Sequence, residues 1–217
     1  MFPVEPMNTL SNGVIVLFGL AALYFVVKRA PRAIDLYALC ALLIATGIGS
    51  GLWHGLRDPG ALFWEVSSGL FFLFALAFFW ARRLWSYPGA LLFLGAFLGG
   101  VLLSRRYWDG EVWGIHLQRW VALAPVVIVA GVALIARTYA YSARAALYSA
   151  AALCAALIAL VFRTIDLAAC PYIPFGTHFL WHCILSAGGF LGILALTEII
   201  PAKAIRRLAQ PGIEAAE

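Results

Sequence analysis

From Phe175 to Ile200 the chain reads FGTHFLWHCILSAGGFLGILALTEII, 26 residues with one acid and no Lys or Arg. A helix that crosses a bilayer needs about 20 mostly apolar residues, so this stretch reads as a membrane span. A strand of a membrane barrel would alternate apolar with polar residues, and here the apolar character runs on without alternation. Towards the N-terminus the same pattern recurs at Ala145 to Val161, Gly114 to Ala136, Tyr87 to Leu103, Leu62 to Ala81, Ile34 to Trp53 and Leu10 to Val27. Seven runs therefore predict seven spans.

Composition agrees. The 217 residues are 64% hydrophobic and 12% charged, with a mean hydropathy of +0.95, whereas soluble domains run nearer ~45–50% apolar and ~25% charged. Seven spans take roughly 140 residues, which leaves short connections and no room for a soluble domain. The expectation is one all-α, polytopic seven-helix membrane domain over 1–217. Disorder and a disulfide framework are excluded. The net charge of +5 comes from basic residues in the connections, where it bears on orientation and not on nucleic acid. Cys40, Cys154, Cys170 and Cys183 show no CxxC spacing, and Cys40 and Cys154, inside apolar runs, read as small core residues. No Lys or Arg precedes Lys28, so the first run lacks the basic flank of a cleavable signal and reads as a retained span.

Counting Lys and Arg at the ends of the runs gives ten on one side (Lys28, Arg29, Arg32, Arg82, Arg83, Arg137, Arg144, Lys203, Arg206, Arg207) and five on the other (Arg57, Arg105, Arg106, Arg119, Arg163). The positive-inside rule then places the N-terminus outside and the C-terminus in the cytoplasm. Which membrane the chain occupies is open.

Ionisable groups at membrane depth are costly and point to function. Ser50 and His54 close the second run, Glu65 opens the third, Asp166 follows the sixth, and His178 and His182 open the seventh. In the derived topology all of them lie at the outer ends of their helices, an agreement that scattered structural polar residues have no reason to show. His178 and His182 are four apart, so a helix puts both imidazoles on one face, able to reach one metal ion. With His54 they make three imidazoles and leave a fourth tetrahedral position, the pattern of a catalytic zinc site. Glu65 is the candidate base for a zinc-activated water, and Ser50 the candidate hydroxyl for a developing oxyanion.

Each residue also has a structural reading. A single His at a helix end is commonly a packing residue, and Ser50 alone is a small helix residue. Glu65 could be solvated beside Arg57 and Asp58, and Asp166 could pair with Arg163 three residues earlier. His116 sits in a polar connection and is set aside. Trp53, Trp64, Trp108, Trp113 and Trp181 read as an interfacial aromatic belt.

The segments EPMNTLSN (Glu5 to Asn12), SGLWH (Ser50 to His54), the acid Glu65, FRTIDLAAC (Phe162 to Cys170) and HFLWH (His178 to His182) together resemble the alkaline ceramidases. The wider resemblance is to the seven-helix superfamily that includes the progestin and adiponectin receptors. It spans the whole chain in order, and its specificity lies in the combination of motifs. It implies a zinc-dependent amidase with an outer N-terminus and a lipid substrate, ceramide or another N-acyl lipid, entering from the bilayer. By resemblance His54, His178 and His182 are zinc ligands, Ser50 is the oxyanion-stabilising serine and Glu65 the acid that activates water. The eukaryotic ceramidases carry aspartate at that last position, so the longer side chain implies the same role with an altered substrate preference or an altered pKa. Glu5 matches the last member of an N-terminal calcium cluster whose other members the sequence lacks, so calcium regulation is not expected. Cys170 matches half of a family disulfide whose partner is likewise missing, and a free thiol is expected.

The leading expectation is thus a hydrolase that splits an N-acyl lipid into a fatty acid and an amine. The alternative is a seven-helix receptor or lipid-binding protein with a structural or vestigial zinc site, which would leave Ser50 and Glu65 without a task. A haem protein is disfavoured because HxxxH puts both imidazoles on one face. Protein partners are not legible.

Overall fold

The computed structural model describes residues 4–107, 111–112, 115–116 and 121–209. Gly114, Trp108 and Trp113 lie outside these residues. Among the described residues seven helices carry the architecture: α1 (Pro6–Arg29), α2 (Ile34–Leu56), α3 (Pro59–Leu84), α4 (Tyr87–Tyr107), α5 (Ala124–Tyr139), α6 (Ala143–Ala169) and α7 (His178–Ala209). A two-residue antiparallel pairing, β1 (Glu111–Val112) with β2 (Ile115–His116), lies between α4 and α5. All seven helices are long and apolar enough to cross a membrane. The chain is an integral, multi-pass membrane protein.

The helices start where local chemistry lets them. Asp58 accepts the N–H of Ala61 at 2.9 Å and Pro59 follows at the first helical position, so α3 begins with a satisfied cap and no wasted donor. Ser142 does the same for α6 through Ala145 N–H at 3.1 Å. Arg57 ends α2 in the left-handed region at φ 57° and returns its N–H to the Trp53 carbonyl at 2.7 Å.

Several boundaries differ from the apolar runs, three of them for a local reason. The fifth helix begins at Ala124, preceded by a single 3-10 turn at Val121–Leu123, and not near Gly114. Pro125 fits the first turn, where its missing N–H costs least. The sixth helix continues through Asp166 to Ala169, so Asp166 is part of the helix and does not follow it. Helical hydrogen bonding does not stop where hydropathy falls. The seventh starts at His178, because Gly176 at φ 64° makes the chain turn just before it.

Helix α7 is the most deeply buried, with half of its span inside the protein. It packs along α1 and α6, and α2 lies between α1 and α3. Ile15, Val26, Leu36, Leu39, Leu43, Ile193, Leu196 and Ile199 form the core at this junction. Away from the site, Arg29 pairs with Glu198 at 2.8 Å and Arg83 with Asp35 at 2.6 Å. Cys40 is buried as expected, but Cys154 is exposed on the outer face of α6 and is no core residue. All four cysteines are free thiols.

Close approach of α2 and α3 depends on one glycine. A Cβ placed on Gly49 would lie 2.9 Å from the backbone nitrogen of Glu65. Only hydrogen at that position lets α3 come near enough for the residues beside it to meet.

Candidate metal centre

His54 at the end of α2 and His178 and His182 at the start of α7 come together at one end of the bundle. All three are buried, His182 to 1% exposure. Their rings are 4.5 to 5.0 Å apart between centroids, and one nitrogen from each lies within 4.8 Å of the others.

The Nδ1 atoms of two of the rings are engaged. Ser11 Oγ lies 2.9 Å from the Asn8 carbonyl, to which it donates, and 2.8 Å from His182 Nδ1, which leaves Nε2 as the remaining ring nitrogen of His182. That Nε2 is buried and has no hydrogen-bond partner among the described residues. His54 Nδ1 is 2.5 Å from Glu5 Oε2, and an ionised carboxylate only accepts. His54 thus holds its proton on Nδ1 and has its lone pair on Nε2. The third ring, His178, stands with Nδ1 3.9 Å from Asp166 Oδ2. Three imidazoles within reach of one point, two of them backed on Nδ1 by Glu5 and Ser11, are the kind of ligand set that a zinc-type ion takes. The donor set fits the metal.

Beside the imidazoles, Ser50 on α2 donates to Glu65 Oε1 on α3 at 2.8 Å. The other carboxylate oxygen, Oε2, is buried and has no hydrogen-bond partner. Ser50 sits one turn before His54 on α2, so the carboxylate it holds lies at the same end of the bundle as the imidazoles. One oxygen is held and the other is free to take a proton. Ser50, 1% exposed, has its proton committed to Glu65, so in this arrangement it orients the carboxylate.

Asp166 does not form an ion pair with Arg163 among the described residues. One of its oxygens accepts the N–H of Thr177 at 2.7 Å and that of His178 at 2.9 Å, donors at the start of α7 that have no partner within the helix. Glu5 too has a role beyond the expected one: it touches His54, accepts from Asn8 Nδ2 at 2.9 Å, and pairs with Arg57. Ser11 and Asn8 were not singled out from sequence. The signal was there in the polar positions 5, 8, 11 and 12, a stripe on the first turns of an otherwise apolar helix.

An open groove of about 330 Å³ lies between α5 and α6, lined by Val121, Ala124, Leu157, Leu160, Val161, Thr164 and Ile165. Among the described residues that line it, Thr164 is the polar one. Comparison of the chain with models of known protein families, and with characterised proteins, finds no match.

Proposed function

We propose that the protein is a zinc-dependent intramembrane amide hydrolase that cleaves ceramide or a related N-acyl lipid to a fatty acid and an amine. The observation that carries this reading is the buried, unpartnered Nε2 of His182 beside two further imidazoles and beside the unpartnered Oε2 of Glu65. A receptor needs no free carboxylate oxygen next to a metal-ligand set.

His54, His178 and His182 would hold the ion, which when bound supplies a Lewis acid and lowers the pKa of its water towards ~7. Glu65 takes the proton of the attacking water on Oε2, the oxygen that Ser50 leaves free, and returns it to the departing nitrogen as an acid. Protonation weakens the hold of Glu65 on the Ser50 hydroxyl, because a charged acceptor binds a donor about twice as strongly as a neutral one. The hydroxyl is then released to donate to the oxyanion that develops on the carbonyl oxygen. An acyl chain suits the apolar walls between α5 and α6. The charge distribution supports an N-terminus outside and a C-terminus in the cytoplasm, with the site at the outer face.

The test is metal analysis and lipid hydrolysis on the same detergent-purified protein. Zinc near one per chain, with release of fatty acid from ceramides or other N-acyl lipids, is the expected result. Zinc without hydrolysis of any N-acyl lipid would overturn the enzyme reading.

A further inference from the structure

The sequence motifs place every candidate ligand on α2 and α7, yet two of the three imidazoles are backed by residues of a third element. Glu5, just before α1, meets His54, and Ser11 in the second turn of α1 meets His182. Val4 and Glu5 are also tied to α2 through the backbone: Val4 N–H reaches the Gly55 carbonyl and Glu5 N–H the His54 carbonyl, both at 3.1 Å. The second oxygen of Glu5 is held by Arg57, whose guanidinium lies 4.8 Å from the centre of the Trp53 ring. Glu5 is thus fixed from both sides, and Ser11 is fixed by the Asn8 carbonyl.

We propose that the outer end of α1 is the positioning element of the metal centre, with Glu5 and Ser11 setting the tautomer and donor strength of His54 and His182. The proposal rests on the zinc reading above and extends it to residues that touch neither metal nor substrate. A carboxylate behind an imidazole strengthens its free nitrogen as a donor more than a hydroxyl does. His54 is therefore the stronger ligand and His182 the weaker. Because both partners of His182 and His54 come from α1, the ring orientations depend on how α1 seats against the pair that bears them.

The experiment is zinc affinity by chelator competition, in detergent, for wild type, Glu5→Gln, Ser11→Ala and Glu198→Gln. The visible absorption of the cobalt-substituted forms is recorded alongside. Glu198 bonds Arg29 at the far end of the same α1–α7 contact, so its variant disturbs helix seating without touching an imidazole. The expected result is a zinc dissociation constant raised roughly 10–100-fold in Glu5→Gln and Ser11→Ala, more in Glu5→Gln. Shifted cobalt bands in both, and neither change in Glu198→Gln, complete the expectation. Wild-type affinity and spectrum in Glu5→Gln and Ser11→Ala overturn the proposal and leave the zinc reading intact. Equal losses in all three variants also overturn it, since seating alone then explains the effect. A wild type that binds no zinc removes the underlying reading as well. If Ser11→Ala does not fold, Glu5→Gln decides alone, because Glu5 is partly exposed and its replacement leaves no cavity.

Discussion

Asp166 and His178 belong to different helices, yet a carboxylate oxygen of Asp166 accepts the backbone N–H of His178 at 2.9 Å. The last turn of α6 therefore caps the helix that carries two of the three imidazoles. A carboxylate at this end is favoured twice, by the unpaired N–H groups and by the helix dipole. Asp166→Ala should lower stability by about 1–2 kcal/mol, whereas Asp166→Asn, which keeps an accepting oxygen, should lose less. Thermal unfolding in detergent measures both; equal losses would mean that charge, and not capping, is what Asp166 contributes.

Removing any one of the imidazoles should release the metal. His54→Ala, His178→Ala and His182→Ala are each expected to fall well below the wild-type zinc content in elemental analysis. Unchanged stoichiometry in all three purified variants would sink the site.

Glu65→Gln separates binding from turnover. The amide cannot take a proton from water, so hydrolysis should drop roughly 10²–10⁴-fold while the zinc content stays at the wild-type level. Activity that survives this change would remove Glu65 from the role of base.

Gly49→Ala tests the approach of α2 to α3. The added methyl would press on the Glu65 backbone, and overpacking of this kind costs about 1–3 kcal/mol. Zinc should remain, since no imidazole lies on α3, but turnover should fall as Ser50 and Glu65 are pushed apart. A fully active Gly49→Ala would show that the contact between these helices tolerates a wider spacing.

The orientation can be read by labelling. Cysteines introduced at Asp166 and Lys203, on a background without native cysteines, should react with an impermeant reagent from opposite sides of the membrane. Labelling of both from one side would overturn the derived topology.

Apolar runs located all seven helices, because hydropathy in a bilayer is dictated by solvent and needs no knowledge of neighbours. Helix ends were less legible. Asp166 and Ala169 extend α6 past its apolar run because backbone hydrogen bonding continues as long as a partner remains, and hydropathy has no knowledge of that. The three imidazoles were legible from spacing and shared depth, and the structure brings them together. What lies behind them was not, since the contacts of Glu5 with His54 and of Ser11 with His182 span 49 and 171 positions. No local pattern encodes such a separation. The side of α6 on which Cys154 sits was also hidden, because an apolar residue in a membrane helix faces lipid or protein with the same composition.

The imidazoles that meet at one end of the bundle come from helices far apart in the chain, His54 from α2 and His178 and His182 from α7. During synthesis α2 enters the bilayer long before α7 supplies the other two rings, and α1 has to wait for α7 to dock beside it. A product truncated before His178 is therefore left in the bilayer with one imidazole of the three.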